Sequence, residues 1–319
     1  MPTTERAAVH TPSGKPGLDT AQVVLVLGLL ATALIYLDTL SFQFVYDDVT
    51  LIVRNPQVQS WSNLPHFFTQ HLWAAYAATG NYYRPVYQLW LLLNYTAFGL
   101  NPLGWHITTV AVHLGATLLV YVLLAKLGAE RLTAAIAASL FGVHPVHIES
   151  VAWVSGVIDP LTAVFFLGAL LCHLQVREGK RWCLGPALAL CALALLTKEA
   201  AAVLPGVVLV VEWRGLGRRQ DDMAALSRTD RLRSAVTWTL PYAAVAVLYL
   251  VARHYALVRW CRSSMSSLSR LKVSAACLRI ERSQPLVRRT PPTSRKRAVG
   301  RFAAILYSFS VSTFSNSGG

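Results

Sequence analysis

Apolar windows separated by short polar or basic loops set the pattern of this chain. They run over 21–40, 84–99, 104–126, 131–146, 160–176, 183–198, 200–213 and 235–252. The longer ones, at about 17 to 24 residues, match what a helix needs to cross a hydrocarbon core of about 30 Å. No internal repeat is visible. The pattern predicts an all-α, polytopic membrane protein.

Segment 84–99 decides the topology of everything after it. It opens on Arg84-Pro85, carries Gln88, Trp90 and Asn94, and would extend only about 24 Å. If it lies along the interface and the other seven windows cross, with the N-terminus inside, the cytoplasmic set is Arg6, Lys15, Lys126, Arg131, Arg177, Lys180, Arg181, Arg214, Arg218, Arg219, Arg228, Arg231 and Arg233. Arg54, Arg84 and Lys198 remain outside. If it crosses, every later loop flips, and the count of basic residues becomes 3 inside against 13 outside. The positive-inside rule selects seven spans with a cytoplasmic N-terminus. Windows 131–146 and 200–213 reach only about 20 to 24 Å, so they either tilt little, end in a cavity or are partly re-entrant.

The expected organisation is a cytoplasmic segment at 1–20, a transmembrane domain at 21–252 and a tail at 253–319. Within the domain, 41–103 forms the first external loop with interfacial helices, one of them near Trp61 to Ala75. Gly99-Leu100-Asn101-Pro102 is a breaker. Asp159-Pro160 reads as a helix start capped by the Asp side chain, and Pro205 as a kink or break. Trp61, Trp73, Trp90, Trp105 and Trp153 fall on the outer side, as an aromatic belt and a shaped outer cavity require.

Composition agrees with a membrane solvent: 54% of the 319 residues are hydrophobic and 14% charged. The net charge of +14 resides in the tail, because residues 1–252 hold 16 Lys and Arg against 14 Asp and Glu while 253–319 hold 13 against one. A nucleic-acid partner is therefore not expected, and the basic tail reads as disordered or as a lipid-headgroup contact. The five cysteines show no paired or metal-like spacing. The first apolar run is too long for a signal peptide and lacks a small-residue cleavage site, so it reads as an uncleaved anchor.

On this topology the chemistry gathers outside: Asp47, Asp48, Arg54, Arg84, His106, His144, His147, Glu149, Asp159, Lys198 and Glu199. Lys198 and Glu199 either satisfy each other or leave Lys198 aimed into a cavity to neutralise a phosphate. The His144-Pro145-Val146-His147-Ile148-Glu149 run holds ligand types, but a proline separates the histidines and no HExxH spacing is present, so capping or phosphate contact fits better than metal. His113, inside a span, reads as a buried, hydrogen-bonded histidine. The adjacent carboxylates of Asp47 and Asp48 repel each other, which raises one pKa. Such a pair serves as a general base, holds a divalent ion, or merely closes a solvated turn.

In order, the chain contains FVYDD (44–48), NP (55–56), YRPV (83–86), GLNPLGWH (99–106), His113, HPVHIESVAWVSG (144–156), TKE (197–199) and LP (204–205). Over about residues 20–252 this set resembles the membrane domain of the transmembrane and tetratricopeptide-repeat O-mannosyltransferases and their bacterial relatives, within the GT-C superfamily. The resemblance implies a GT-C-type helix bundle in the endoplasmic reticulum or bacterial inner membrane. It also implies inverting transfer of a sugar from a polyprenyl or dolichyl phosphate to an acceptor hydroxyl of a protein or glycan on the extracytoplasmic face. Asp47 or Asp48 would be the base that removes the acceptor proton; with Asp47 in that role, Asp48 would orient the acceptor. Arg84, His144, His147 and Lys198 would meet the donor phosphate, with Glu149, His106 and Glu199 in support; Glu149 would orient His147 or Arg84. No resident cofactor or metal is expected, a divalent ion being the alternative. Two departures stand out. Val157-Ile158-Asp159-Pro160 keeps only the acid of a basic-acidic pair common in the family. The change of character near Arg253 reads as a truncated or altered frame, without the helical repeats. The rival readings are a transporter or flippase of lipid-linked saccharides and an inactive protein that retains the fold.

Overall fold

A computed structural model describes residues 19–76, 80–217 and 227–267, the last nine of these by backbone alone. The expected N-terminal segment up to residue 18 and the tail from 268 lie outside the described residues, as do Arg6, Lys15, Arg218, Arg219 and Cys277. The α-helices are α1 (Thr20–Ile35), α2 (Leu64–Phe67), α3 (Pro85–Phe98), α4 (Pro102–Lys126), α5 (Arg131–Val143), α6 (Ile148–Ala152), α7 (Ile158–Arg177), α8 (Leu184–Thr197), α9 (Leu204–Arg214) and α10 (Arg228–Ser267). The described residues contain no strand. The chain is an all-α polytopic membrane protein.

Every apolar window forms a helix, but length separates them. Thr20–Ser41, Pro102–Lys126, Ser155–Arg177 and Arg228–Val258 are long and apolar enough to cross a membrane; α5 joins them only if it is counted with 145–152, across a bend of 43°. The 14 residues of α3 rise about 21 Å and the 11 of α9 about 16 Å, both short of about 30 Å of hydrocarbon.

Local chemistry explains most boundaries. The Asp19 carboxylate accepts from the Gln22 amide at 2.7 Å while Gln22 Oε1 accepts from the Asp19 amide at 2.9 Å, a reciprocal cap that starts α1. Asn101 caps α4 by accepting from the Leu103 amide at 3.2 Å, with Pro102 in the first turn. Pro205 marks a break as expected: it lies in the first turn of α9, after a 3-10 turn at Glu199–Val203. The Asp159 cap is not found. Val157 is the capping residue of α7 and makes no side-chain cap, which leaves Asp159 in the first turn free to pair elsewhere. Near Trp61 to Ala75 there is no single helix, only α2 between 3-10 turns at Trp61–Asn63 and Ala74–Tyr76. The tail boundary also moves: α10 runs on past residue 252 to Ser267, because nothing in 253–267 is a Gly or Pro and extending a formed helix costs far less than nucleating one.

The helices pack around two main cores. In the bundle, Leu170, Ala187, Cys191, Leu195, Leu204, Val208 and Tyr242 join α7, α8, α9 and α10. The segment ahead of α3, expected from the sequence to be an external loop, is a folded layer with its own core: Leu51, Ile52, Val58, Phe67 and Leu72 close on Tyr87, Leu91 and Leu92 of α3, on Trp105, and on Val154, Val157 and Ile158 at the head of α7. At one side α1 lies against α5 through small residues; a side chain at Gly28 would collide with Ser139, and one at Gly142 with Thr32. Close approach of this kind is how helices associate where lipid removes the hydrophobic drive.

Inside the bundle sits a buried polar group that no sequence motif announced. Glu212 of α9 is fully buried, its carboxylate 3.0 Å from His173 Nε2 and 3.0 Å from Arg177 Nε, while His173 Nδ1 lies 3.1 Å from the Tyr242 hydroxyl. The carboxylate joins α9 to α7, and His173 carries the link on to α10. Removing one member of a buried pair strands the others, at a cost of about 3 to 5 kcal/mol. Glu212→Ala is accordingly expected to lower the unfolding free energy of the detergent-purified protein by about 3 to 5 kcal/mol, whereas alanine at the exposed Glu178, which among the described residues pairs with the exposed Lys126, should change it by about 1 kcal/mol at most.

Candidate active site

Where the external loop meets the heads of α3 and α7, a cavity of about 550 Å³ opens, lined by Asp47, Arg84, Glu149 and Asp159 among the charged residues and by Trp73, Tyr82, Tyr87 and Trp153 among the aromatics. Its volume falls within the range of small-molecule sites, about 300 to 1,000 Å³.

The acidic dipeptide divides its work. Asp48 is fully buried. Its Oδ2 accepts from the Val45 amide at 3.1 Å and its Oδ1 from the Ser155 amide at 2.8 Å, so the carboxylate fastens the loop to the chain just ahead of α7. It offers no surface to an acceptor. Asp47 points the other way, into the cavity, where partial burial and then the neighbouring Asp48 charge raise its pKa above the ordinary carboxylate range. Tyr46, immediately before the pair, has φ of +55°, a left-handed conformation that costs a non-glycine residue about 1 to 2 kcal/mol. Its ring recovers some of that by stacking on Trp153, with centroids 5.3 Å apart and planes at 11°.

Arg84 lies at the head of α3. It holds Glu199 with two prongs, Nη2 to Oε1 at 2.7 Å and Nε to Oε2 at 3.0 Å, and its guanidinium sits 4.4 Å from the Tyr82 ring centroid. Burial alone would raise the Glu199 pKa, but the Arg84 hydrogen bonds and charge, with Arg253 further off, bring it below the usual value. Lys198 turns the opposite way and pairs with Asp159. The expectation that Lys198 and Glu199 satisfy each other is therefore replaced by two separate pairs, because the extended backbone at Lys198, with φ of −150° and ψ of 131°, sends successive side chains to opposite sides. Asp159, whose neighbouring cation is missing from the sequence motif, finds one in Lys198.

The histidines lie off the cavity. His144 is exposed and uses Nδ1 to accept from the Val146 amide at 3.2 Å, the capping role its sequence context allowed. The His147 ring packs 4.5 Å from Phe141 and 5.1 Å from His113. His113 is buried, with Nε2 2.9 Å from the Gly142 carbonyl oxygen, as a hydrogen-bonded core histidine should be. His106 is fully buried against the Phe42 ring. Glu149 faces the cavity but forms no ion pair or hydrogen bond with His147 or Arg84.

Sequence reasoning missed three contributors. Tyr46 backs the cavity-lining Trp153 by stacking on it. Tyr249 and Arg253, one turn apart on α10, hold the backbone leading into Arg84: the Tyr249 hydroxyl donates to the Tyr83 carbonyl at 3.4 Å, and Arg253 Nη2 and Nε donate to the Asn81 carbonyl at 3.0 and 3.3 Å. The tyrosine-to-arginine spacing of four was the available signal, but it lay across the boundary assigned to the tail.

Because Asp48 is anchored by two amides and Asp47 is not, the two should respond differently to truncation. Hydrogen bonds to a charged group are worth about 1.5 to 3 kcal/mol each, so Asp48→Ala is expected to lower stability by at least about 2 kcal/mol and Asp47→Ala to leave the unfolding midpoint within experimental error. Thermal unfolding of the purified variants checks this; equal effects would contradict the division.

No family model and no solved structure matches the chain. Among curated proteins it is similar to the Caenorhabditis elegans Protein O-mannosyl-transferase F38B6.6, 37% identical over 153 residues that cover 45% of this chain and 22% of that protein. It is likewise similar to the Drosophila melanogaster Protein O-mannosyl-transferase Tmtc1, 34% identical over 195 residues (60% and 23%), and to the Homo sapiens Protein O-mannosyl-transferase TMTC1, 33% identical over 233 residues (66% and 26%). The chain thus spans between 22% and 26% of the length of these relatives. Over that part, the resemblance read from the ordered motifs holds: the chain is similar to the protein O-mannosyl-transferases.

Proposed function

We propose that this chain carries the transfer site of a membrane glycosyltransferase of the O-mannosyltransferase type, which moves a sugar from a polyprenyl-phosphate donor to an acceptor hydroxyl of a protein on the extracytoplasmic face, with inversion. The observation that carries the reading is the cavity-facing carboxylate of Asp47, with its pKa raised, presented by the buried Asp48 in a cavity that Arg84 also lines. The similarity to proteins named O-mannosyl-transferases supports the sugar and the protein acceptor.

In the proposed step Asp47 accepts the proton of the acceptor hydroxyl as its oxygen attacks the anomeric carbon. The bond from that carbon to the phosphate oxygen breaks, and its electron pair leaves on the lipid phosphate, which gains one negative charge. Attack from the face opposite the leaving group inverts the anomeric centre. Arg84 answers the new charge, and fixed donors of this kind are worth most where charge develops. Lys198 contributes from the rim through its pair with Asp159. Asp48 acts as a positioning residue, since it holds the loop that presents Asp47. Trp73, Tyr82 and Trp153 offer apolar faces to a sugar ring. No metal ion takes part in this scheme, so chelator leaves the rate unchanged.

General-base catalysis is typically worth about 10² to 10⁴ in rate. Asp47→Asn is therefore expected to reduce transfer from a synthetic polyprenyl-phosphate mannose to an acceptor peptide by about that factor, without loss of fold. The base works only when ionised. The wild-type rate should fall as pH drops through a pKa above the ordinary carboxylate range, and that limb should vanish in the residual activity of the variant. Full activity in Asp47→Asn would remove the assignment.

A further inference from the structure

The cations near the cavity are already engaged. Arg84 is committed to Glu199 by a two-pronged contact and Lys198 to Asp159, and among the described residues Arg253 has only a carbonyl oxygen as partner. A phosphoryl group that enters this site must therefore exchange with something. The planar fork of an arginine receives two oxygens of a carboxylate or two of a phosphate with the same geometry. Glu199 thus occupies the position a phosphate would take.

We propose that Glu199 is a resident counter-anion, which fills the Arg84 fork in the free protein and is displaced when a phosphoryl group binds. This deepens the donor-phosphate role given above to Arg84 and rests on that reading.

Three features make exchange feasible. The fork is held from behind, by the Tyr82 ring under the guanidinium and by Tyr249 and Arg253 on the backbone of residues 81–83, so Arg84 keeps its aim when Glu199 departs. Glu199 is the more exposed partner, 36% against 14% for Arg84, and has water to move into. A half-exposed carboxylate is a weak competitor, because such pairs contribute little net stability. Yet it offsets positive charge while the site is empty: Arg84 and Arg253 both act on the Glu199 carboxylate, and without it neither would have that counter-charge. The carboxylate also tunes selectivity, since a neutral ligand gains nothing by displacing it.

Binding of geranylgeranyl phosphate to the full chain in non-ionic detergent, measured by calorimetry, tests the exchange without turnover. Inorganic phosphate and geranylgeraniol serve as the headgroup-only and tail-only arms. Removing a resident competitor raises the fraction of protein ready to bind, so Glu199→Gln should bind the phosphate-bearing probe about tenfold more tightly than wild type, with no change for the alcohol. Glu199→Asp, one methylene shorter and unable to span both prongs, should give a smaller gain and serves if the glutamine variant does not fold. In Arg84→Gln the preference for phosphate over alcohol should be lost. A gain confined to the lipid probe identifies a lipid headgroup as the occupant, and an equal gain for inorganic phosphate identifies the free ion; both support exchange. Unchanged or weaker phosphate binding in folded Glu199→Gln overturns it. A protein that shows the gain but no sugar transfer retains the exchange and loses the transferase reading.

Discussion

A carboxylate taken fully out of water must have its oxygens satisfied, and that demand on Asp48 organises the layer that packs against the heads of α3 and α7. One oxygen finds the Val45 amide within its own loop and the other the Ser155 amide, 107 residues further along the chain. The second bond ties the first external loop to the residues that lead into α7. Around that tie the loop core closes, with Ile52, Val58 and Phe67 on one side and Val154 and Val157 on the other. Because adjacent side chains leave the backbone in different directions, fixing Asp48 inward turns Asp47 outward. The left-handed backbone at Tyr46 is what lets the chain make that turn so abruptly.

The same division recurs at Lys198 and Glu199. A basic and an acidic neighbour would seem made for each other, but their shared extended backbone separates them, and each finds a partner on a different helix. Glu199 holds Arg84 at the head of α3 and Lys198 holds Asp159 in the first turn of α7. The end of α8 thus fastens two helix heads at once, and both fastenings border the cavity. Three cations there are compensated by carboxylates or by a carbonyl oxygen, whereas Asp47 meets no cation at ion-pair distance among the described residues. Its pKa is raised by partial burial and then by the neighbouring Asp48 charge.

Helices were legible because hydrophobic windows and their breakers are local signals: Asn101-Pro102 begins α4 as written, and Pro205 interrupts its window. Partner choice was not legible. Nothing in the order Asp47-Asp48 tells which carboxylate is buried, since the deciding amide belongs to Ser155, and nothing near Lys198 points to Asp159. Glu212 looked like a solvated acid at the end of a short window. Its neighbours His173 and Arg177 lie one turn apart on α7, and only the folded bundle brings them to it. An ionisable residue inside an apolar window was the signal that could have raised Glu212 earlier. The histidine-rich motif was legible in part: the capping that its context allowed is what His144 does, whereas the packing of the His147 ring on Phe141 had no local signal.

The cavity lies at a seam between two cores, and neither core alone can fix it. The loop core sets Asp47 and the wall of Trp153, while the bundle core carries Glu199 and the outer end of α10. Arg84 belongs to both: α3 packs its inner face in the loop core, and the backbone just before it is held by Tyr249 and Arg253 from the bundle. A change of composition near residue 253 therefore does not mark the edge of the site. Basic, polar residues begin there in the sequence, but the helix continues, and its first residue beyond that boundary is the one that grips Asn81. Removing α10 at the compositional boundary would leave Tyr249 in place and take away Arg253, so the aim of Arg84 depends on a residue that composition alone assigns to a disordered tail.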